Sequence, residues 1–429
     1  MHILFLVPYT PTLIRTRPYN LLRGLARHGH AVTLATLWEN EQDRAALEQF
    51  ENDGIRVLSA RLTKARAFWN MLRALPAGAP LQSVYCWKPE LMRNLQFAIC
   101  HPELIEGRNL QFDLIHVEHL RGARYGLFLQ SAIRNSQFAI PVVWDSVDCI
   151  SHLFEQAART SHSPFERFIT RFELARTRHY EALLVNKFNR VLVTSPVDAV
   201  ALTELASRFT FHAPHSTPSV TRHLSPVTVL PNGVDLEYFA PSTTPHDPYT
   251  IVFTGKMSYH ANVTAALHLV NDIMPLVWRA RPDVRVNIVG YKPPTRIRAL
   301  ATRHSPLVTV FDSVPDLRPY LQRAAVAVAP IPYGAGIQNK VLEAMACATP
   351  VVATPQAVSA LQAVDGEQLL VGADATAFAR QVLRLLDDVE LRQRIGAGGR
   401  RFVEQNHDWN KIVERLEDIY HETVNRLTD

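Results

Sequence analysis

One stretch of the chain, residues 330–354, restricts the possible folds more than any other. Its sequence is PIPYGAGIQNKVLEAMACATPVVAT. The pattern predicts the end of a strand, a glycine-bearing turn, a helix over about residues 338–348 that stops at Pro350, and a second buried strand. Gly334 and Gly336 lack a Cβ, so the backbone there can approach a bound group closely. Strands that alternate with helices in this way indicate an α/β fold.

Lys340 and Glu343 lie three residues apart, so they share one face of this helix near its N-terminus. The free N–H groups and the positive dipole end of the helix are suited to a phosphate. A lysine that can reach a phosphate, beside a carboxylate that can accept two sugar hydroxyls, suggests a nucleotide site. The alternative is an ordinary helix on which both residues are solvated surface charges.

The start of the chain repeats the alternation of strands and helices. Residues 2–7 predict a strand, residues 18–28 a helix that ends at Gly29, and residues 31–37 the next strand. This βαβ unit predicts a parallel sheet. A length of 429 residues is enough for two domains with separate cores.

Composition narrows the function only a little. A net charge of +5 and a pI near 9.0 favour anionic partners such as nucleotides, charged glycans and anionic lipids, but no motif indicates nucleic acid binding. The four cysteines show neither disulfide density nor metal-ligand spacing, so we expect a cytoplasmic chain with free thiols. The apolar residues 1–7 are too few for a signal peptide or a membrane span.

Arg15 and Arg17 lie between the first predicted strand and the first predicted helix. Ligands of open parallel sheets bind at the carboxyl edge of the strands, where this loop begins. Both arginines are therefore candidates for binding an acidic acceptor. The alternative is that they are solvated loop charges.

Two further predicted strands end in polar side chains. Residues 112–117 precede Glu118 and His119, and residues 141–144 precede Asp148. We expect these side chains at the sheet edge where a cleft between two domains would open. A structural histidine and a helix cap by Asp148 or Ser151 are the alternatives.

A basic and aromatic segment covers residues 61–95. Its members are Lys64, Arg66, Arg73 and Lys88 together with Phe68, Trp69, Met71, Leu72, Tyr85 and Trp87. Basic residues interleaved with aromatic ones suit a helix that lies on an anionic membrane. They would equally suit an amphipathic helix packed on its own domain.

The later part of the chain predicts a second domain. Residues 209–226 lack periodicity and indicate a linker, after which strands and helices alternate from residue 227. A final helix is predicted over residues 409–427.

Four stretches resemble the signatures of the retaining glycosyltransferases of family 4, which have two Rossmann-like domains facing a cleft (the GT-B fold). They are GIQNKVLEAMA followed by PVVAT, VLPNGVDLEYF, IVFTGKMSYHAN and VNIVG. WDSVDCISHLFEQAA further resembles a branch of sugar transferases found with exopolysaccharide and exosortase systems. The resemblance implies an acceptor-binding domain over 1–225, a nucleotide-sugar-binding domain over 226–405, and a last helix, 409–429, that crosses back to the first domain.

The implied donor site lies in the second domain. Glu343 falls on the glutamate that binds the donor ribose in the family, and Lys256 after Gly255 falls on a basic phosphate-side residue. Lys340 and the N–H groups of the turn before it would stabilise the departing diphosphate. The predicted donor-binding set is Gly255, Lys256, Gly336, Ile337, Gln338, Asn339, Lys340 and Glu343.

The implied catalytic and acceptor residues lie mostly in the first domain. A family histidine that contacts the reacting sugar follows the strand at 112–117; Glu118 occupies that register and His119 comes one place later. In the branch, an Asp and a Ser near Asp148 and Ser151 border the acceptor site. The predicted catalytic set is Glu118, His119, Asp148 and Lys340, and the predicted acceptor-binding set is Arg15, Arg17 and Ser151.

The chain departs from the family pattern at several positions. Ala335 stands eight residues before Glu343, where many members have a second glutamate that contacts the donor sugar. Ala261 and Asn262 replace a second lysine, and Ala348 replaces a common glycine, a change expected to affect only packing. Because no Asp-x-Asp motif is present, we expect no obligatory metal and no cofactor.

Together these features predict a retaining glycosyltransferase. The expected donor is a nucleotide diphosphate sugar, with UDP-sugar favoured over GDP-sugar, and the expected acceptor is a glycan or a lipid-linked intermediate of cell-surface polysaccharide or glycoconjugate assembly. The expected location is the cytoplasm, with peripheral contact to an anionic membrane as an open option. A GT-B nucleotide-sugar epimerase and, because of Ala335, a catalytically silent GT-B assembly protein are the alternatives.

Overall fold

A computed structural model describes residues 1–76, 78–100, 111–134, 140–160, 164–210, 226–333 and 336–428 of the chain. The chain forms two compact units. Unit 1 comprises Met1–Pro231 together with Ile412–Asp429, and unit 2 comprises Asn232–Lys411. The division falls a few residues after the boundary expected at 225 and 226. Most of the linker expected over 209–226 lies outside the described residues.

In the described part of unit 1, seven parallel strands form one sheet. In chain order they are β1 (His2–Val7), β2 (Ala31–Trp38), β3 (Arg56–Arg61), β4 (Leu114–Glu118), β5 (Val142–Val147), β6 (Arg190–Val193) and β7 (Val227–Val229). Their order in space is β3-β2-β1-β4-β5-β6-β7. The direction of winding therefore reverses between β1 and β4, as in doubly wound folds.

Helices connect these strands. They are α1 (Thr16–Arg27), α2 (Glu41–Asn52), α3 (Lys64–Ala74), α4 (Leu81–Tyr85), α5 (Pro89–Cys100), α6 (His119–Arg134), α7 (Ile150–Thr160), α8 (Pro164–Val185) and α9 (Pro196–Thr210). The first helix begins at Thr16, two residues earlier than expected, because Pro18 is well tolerated in a first helical turn.

The described part of unit 2 contains a six-stranded parallel sheet. Its strands are β8 (Asp247–Thr254), β9 (Arg285–Gly290), β10 (Val308–Asp312), β11 (Ala324–Ala329), β12 (Val351–Ala353) and β13 (Leu370–Val371). Their order in space is β10-β9-β8-β11-β12-β13, so this sheet reverses between β8 and β11.

The helices of unit 2 alternate with its strands. They are α10 (His260–His268), which continues through a π-helical turn (Leu269–Ile273) into α11 (Met274–Ala280), then α12 (Thr295–Arg303), α13 (Arg318–Arg323), α14 (Asn339–Ala346), α15 (Pro355–Val358), α16 (Ala375–Asp387) and α17 (Val389–Asn406).

Burial on both faces explains the apolar runs in the strands. Leu4, Phe5 and Leu6 of β1 are fully buried, and every residue of β11, AAVAVA, is buried. In a parallel sheet the crossover helices cover both faces, so the strands are continuously apolar rather than alternating. The two sheets therefore have separate apolar cores, one in each unit.

The last helix, α18 (Trp409–Thr428), lies from Ile412 onwards within unit 1. The Tyr420 hydroxyl hydrogen-bonds His116 Nδ1 of β4 at 2.8 Å. Gly24 of α1 packs against the side chain of Val413 so closely that no Cβ would fit there. A larger residue at position 24 would therefore separate α18 from α1.

One departure from the family pattern has a conformational cause. The helix expected over 338–348 ends at Ala346, and Ala348 has φ of +56°. This left-handed region is where glycine is favoured after a helix. The expectation that alanine here affects only packing was therefore wrong, because the position also requires a strained backbone.

Candidate functional site

Most of the polar candidates lie near the point where each sheet reverses direction. In unit 1, β1 and β4 are neighbours; Glu118 ends β4, and the loop with Arg15 follows β1. In unit 2, β8 and β11 are neighbours; Gly255 follows β8, and the loop to α14 follows β11. Open parallel sheets bind ligands at such edges, because the connections leave the two strands in opposite directions. Each unit thus offers a candidate binding edge.

The turn after β8 requires glycine. Gly255 has φ of +150°, and a Cβ there would lie 2.9 Å from Asn262 Nδ2 and 3.2 Å from Lys340 Cε. Gly290, which ends β9, packs so tightly on the Gly255 carbonyl that a Cβ would overlap it. The turn backbone is therefore held directly against the Lys340 side chain.

Lys340 and Glu343 lie on α14 and are both half-buried. Lys340 Nζ donates to Gln338 Oε1 at 3.0 Å, and Gln338, the N-cap, makes no side-chain capping bond within the described chain. Burial lowers the pKa of Lys340 to about 8, against the opposing effect of the Glu343 charge. Burial likewise raises the pKa of Glu343 to about 7, against the effect of Lys340. Both groups change charge near neutral pH, unlike fully solvated surface residues.

The other predicted donor residues surround this pair in different environments. Gly336 has φ of +70° and is half-buried, as are Gln338 and Asn339. Ile337 is only 8% exposed and packs in the core of unit 2, so its side chain points inward. Lys256 is exposed beside the Gly255 turn. Gly334 and Ala335 lie outside the described residues.

Asn262, noted from sequence only as a missing lysine, has a structural role. It lies in the first turn of α10, and its Nδ2 donates to the Lys256 carbonyl at 3.0 Å. Its side chain is nearly buried and fixes the turn that contacts Lys340. A short amide side chain close after the Gly255 turn was the available signal for this bond.

Glu118 is a buried carboxyl at the edge of unit 1. Tyr9 donates its hydroxyl to Glu118 Oε1 at 3.2 Å, while Oε2 is buried and has no hydrogen-bond partner in the part of the chain that the structure describes. Burial, helped by the nearby Asp145 charge, raises the pKa of Glu118 to about 8. The group is therefore mostly protonated at neutral pH. Tyr9 was missed from sequence because its partner is distant in the chain.

His119 combines backbone strain with a suppressed positive charge. It begins α6 with φ of +63°, an uncommon conformation for a non-glycine residue that is often found at functional sites. Its Nδ1 accepts a hydrogen bond from the Arg121 backbone N–H at 3.3 Å. Burial and the Arg121 charge lower the pKa of His119 to about 3, so the ring is neutral. Arg121, two residues along α6, was a further candidate that sequence analysis missed.

Arg17 is buried within unit 1 and bonded there. Its Nε donates to Asp145 Oδ2 at 2.8 Å, and its Nη1 donates to the carbonyls of Leu230 and Pro231 at 3.0 and 3.2 Å. Asp145 also lies 3.6 Å from His116 Nε2. Burial acts to raise the pKa of Asp145, but Arg17 and His116 hold it below its usual value. These bonds give Arg17 a structural role and do not favour the predicted contact with an acceptor.

Arg15, by contrast, is exposed on the loop after β1. Its Nη1 donates to the Thr10 carbonyl at 3.0 Å, and its guanidinium lies 4.2 Å from the centre of the Tyr9 ring. Tyr9 therefore contacts both Arg15 and Glu118, and Arg15 stays available for the predicted acceptor contact.

Asp148 and Ser151 lie around the start of α7. Thr194 Oγ1 donates to Asp148 Oδ1 at 3.2 Å, and burial is the main cause that raises the Asp148 pKa to about 7. Ser151 is buried, and its N–H donates to Glu181 Oε2 at 3.1 Å. Glu181 accepts from the first two N–H groups of α7, so the helix cap is Glu181 rather than Asp148 or Ser151. The burial of Ser151 does not favour direct acceptor contact.

The described ranges contain neither a metal-binding cluster nor a membrane-spanning helix. No group of three or more His, Cys, Asp or Glu side chains there could hold a metal ion. No helix there is long and apolar enough to cross a bilayer. The expected independence of metal stays a prediction.

Two family models match the chain, one in each unit. "Glycosyl transferase 4-like domain" matches residues 14–210, and "Glycosyl transferases group 1" matches residues 248–388. Together with two doubly wound parallel sheets, the matches define a protein of the GT-B glycosyltransferase class. The chain belongs to glycosyltransferase family 4, so the resemblance to that family stated from sequence is confirmed, while the branch stays a prediction.

Curated relatives match part of the chain. A GDP-mannose-dependent monoacylated alpha-(1-6)-phosphatidylinositol monomannoside mannosyltransferase from Corynebacterium glutamicum is 30% identical over 208 residues, which are 44% of this chain and 55% of that protein. A D-inositol 3-phosphate glycosyltransferase from Salinispora tropica is 38% identical over 122 residues, 27% of this chain and 25% of that protein. The matched region thus spans about half or less of these relatives.

Solved structures match nearly the whole chain. Sucrose-phosphate synthase from Thermosynechococcus elongatus has a TM-score of 0.68 at 17% identity, with 98% of this chain and 99% of that chain covered. Anabaena HepE in complex with UDP has a TM-score of 0.64 at 15% identity, with 98% and 100% covered. At such identities the similarity concerns the fold alone, and it confirms the predicted GT-B fold.

Proposed function

We propose that this chain is a retaining, metal-independent glycosyltransferase. It would transfer a sugar from a nucleotide diphosphate sugar to a glycan or lipid-linked acceptor in cell-surface polysaccharide or glycoconjugate biosynthesis. The observation that carries this proposal is the half-buried pair Lys340 and Glu343, which lies on α14 beside the Gly255 turn.

The pair supplies both interactions that a nucleoside diphosphate needs. Lys340, when protonated, would neutralise the diphosphate together with the N–H groups at the start of α14. Glu343, when ionised, would accept hydrogen bonds from two ribose hydroxyls, and such charge-assisted bonds are strong. In a retaining reaction on one face of the sugar, the leaving phosphate can take the proton of the acceptor hydroxyl. A protein base is then unnecessary.

The two pKa values define a pH window for donor binding. Below about pH 7 Glu343 gains a proton and loses its capacity to accept both hydroxyls. Above about pH 8 Lys340 loses its charge. Nucleotide affinity should therefore be highest between these values and fall on either side. Calorimetric titration of UDP and GDP across this range tests the expectation, and an affinity independent of pH would count against direct contact by this pair.

In unit 1 we assign catalytic roles to Glu118 and His119 in their neutral forms. A protonated Glu118 can donate a hydrogen bond through the oxygen that lacks a partner among the described residues. A neutral His119 can donate or accept a hydrogen bond without adding positive charge. Asp148 keeps its proposed catalytic role, and Arg15 is proposed to contact an anionic group of the acceptor. Arg17 is proposed to hold Asp145 in place through its hydrogen bond, without contacting the acceptor itself.

The identity of the donor rests on the relatives. HepE has been solved in complexes with UDP and with UDP-glucose, which supports a UDP-sugar. The name of the Corynebacterium relative specifies GDP-mannose, so a GDP-sugar is the second option. The same name specifies a phosphatidylinositol monomannoside, which supports a lipid-linked acceptor.

Two measurements test the proposal. A thermal-shift screen with UDP, GDP, dTDP and ADP identifies the nucleotide, because a ligand that binds only the native state raises the melting temperature. Turnover of UDP-glucose and GDP-mannose, with and without a detergent extract of membrane lipids, then separates the alternatives. Acceptor-dependent nucleotide release indicates a transferase, isomerisation without release indicates an epimerase, and binding without either reaction indicates a silent assembly protein.

A further inference from the structure

Two helices of unit 1 expose large apolar side chains. Phe68, Trp69 and Leu72 of α3 and Phe168, Ile169 and Phe172 of α8 are all exposed, and Phe168 reaches 68% exposure. We call these six residues the apolar ridge. On each helix the first two side chains lie four and three residues before the third, so the three share one helix face, and exposed apolar patches of this kind mark interaction sites.

Hydrogen bonds join α8 to the segment that directly follows α3. Arg176 of α8 donates from Nη2 to the Leu75 carbonyl, just after α3, at 2.6 Å. The Leu81 N–H of α4 donates to Glu173 Oε2 of α8 at 3.0 Å. The Arg176 guanidinium lies 4.0 Å from the centre of the Phe172 ring. The middle of α8 is therefore held against the chain that follows α3, which places both helices in the same part of unit 1.

An arginine-lined cavity of about 450 Å³ lies on the α3 side of the ridge. We call it the α3 groove, and the polar and aromatic residues that line it are Arg66, Asn70, Arg73, Trp87, Arg124 and Tyr180. The Arg124 guanidinium lies 4.6 Å from the centre of the Trp87 ring. Arg66 Nε is buried without a hydrogen-bond partner among the described residues. No carboxylate belongs to the described lining, so the cavity is suited to an anion.

A second arginine-lined cavity, of about 430 Å³, lies between α7 and α8. We call it the α7 groove. Arg167, Arg171 and Arg178 line it from α8 at spacings of four and seven residues, which place them on one helix face. Glu155 of α7 also lines it and pairs with Arg178 at 2.8 Å. Phe168 lies on the neighbouring face of α8. On this helix the arginines of the α7 groove therefore lie on one side of the ridge, and Tyr180, which lines the α3 groove, lies on the other.

We propose that the apolar ridge and its two grooves dock unit 1 on an anionic lipid bilayer. The ridge would enter the boundary between headgroups and acyl chains, and the arginines would bind lipid phosphates through their paired N–H groups. A soluble phosphate could occupy a groove but would leave the aromatic side chains in water. The combination of an apolar strip with basic flanks is the pattern of interfacial helices. The proposal adds α8 and both grooves to the segment noted from sequence, and it does not depend on the donor site in unit 2.

Vesicle sedimentation of the full chain tests this surface. One set of vesicles contains phosphatidylcholine alone, and the other contains added phosphatidylglycerol. The ridge variants are Phe168→Ser alone and Phe168→Ser combined with Trp69→Ser, so that a folded single variant remains if the double variant fails to fold. The groove variant combines Arg66→Gln and Arg124→Gln. Matched controls in unit 2 are Val364→Ser, which removes an exposed apolar side chain, and Arg296→Gln, which removes an exposed charge.

The wild type should sediment with vesicles that contain phosphatidylglycerol and only weakly with phosphatidylcholine alone. The groove variant should bind the anionic vesicles less tightly, by about fivefold for each arginine removed. The ridge variants should lose binding to both vesicle types, while both controls behave as wild type and all variants keep their melting temperature. Absence of wild-type binding, or ridge and groove variants equal to the controls, would overturn the proposal. Competition by inorganic pyrophosphate at matched ionic strength is the last check. If it abolishes all vesicle binding, the grooves are sites for a soluble anion and the proposal is overturned.

Discussion

The two sheet-reversal points use their charged residues in different ways. In unit 1, Arg17 and Asp145 are buried, and Arg17 is bonded to Asp145 and to two backbone carbonyls. In unit 2, Lys340 and Glu343 are half-buried, and Lys340 bonds the flexible side chain of Gln338. One sheet thus has a buried, directly bonded ion pair near its reversal point, and the other has a half-buried lysine and glutamate near its own.

This difference separates residues that hold the fold from residues that are suited to a ligand. A buried ion pair that loses one member leaves an uncompensated charge, so its members are constrained by stability. Half-buried groups with shifted pKa values can exchange a weak internal contact for a charged ligand. We therefore expect substitutions at Arg17 to act on folding and substitutions at Glu343 to act on binding.

The largest expected effect is on the unit 1 ion pair. Arg17→Ala should lower the free energy of unfolding by about 3–5 kcal/mol, because it leaves the buried Asp145 carboxylate without its cation. Arg15→Ala, two residues earlier and exposed, should change it by roughly 0.5 kcal/mol or less. Urea unfolding of both variants tests the contrast. Equal losses for the two arginines would mean that the Arg17 bonds do not stabilise unit 1.

Glu118→Gln should remove part of the pH dependence of stability. In the folded chain the Glu118 pKa is about 8, against an ordinary value of 4.5. Between these values the folded state keeps a proton that the unfolded state releases. The contribution of Glu118 to the free energy of unfolding therefore falls as pH rises, by about 1.4 kcal/mol per pH unit. Urea unfolding at about pH 5 and about pH 7 should show a smaller fall for the Gln variant than for the wild type. Identical falls would place the Glu118 pKa near its ordinary value.

A smaller difference between variant and control is expected at the unit 2 turn. Gly255→Ala should lower stability by roughly 2–3 kcal/mol, because φ is positive and the new Cβ would contact Asn262 and Lys340. Gly366→Ala is the matched control, since its φ is +84° but no atom lies within 4 Å of the added Cβ. It should cost about 1 kcal/mol for backbone strain alone. Thermal unfolding of both variants measures the difference, and equal costs would show that the Gly255 turn tolerates the contact.

Local pattern was enough to predict much of the fold. The strand expected over residues 2–7 is β1 at the same bounds, because an apolar run ended by Pro8 leaves little choice. The helix α14 could also be predicted, from the glycines before it, its helical spacing and Pro350 after it. Near glycine and proline residues such as these, few backbone conformations other than a turn or the end of a helix or strand are favoured.

The environments of the site residues could not be read from the sequence. Arg15 and Arg17 are two residues apart, yet one is exposed and the other is bonded to Asp145, 128 positions later. The capping of α7 by Glu181 and the bond from Arg176 of α8 to the Leu75 carbonyl depend in the same way on distant parts of the chain. Such contacts follow from the strand order of the sheet, which local periodicity does not encode.

The central claim is that Glu343, with Lys340, binds the donor nucleotide. The most direct test is calorimetric titration of UDP and GDP into the wild type, Glu343→Ala and the exposed control Glu390→Ala at a pH between 7 and 8. We predict that one nucleotide binds the wild type and Glu390→Ala with equal affinity. It should bind Glu343→Ala at least about tenfold more weakly, because the charge-assisted hydrogen bonds to the ribose are lost. Equal affinity of Glu343→Ala and the wild type, or no binding of either nucleotide to the wild type, would contradict the account.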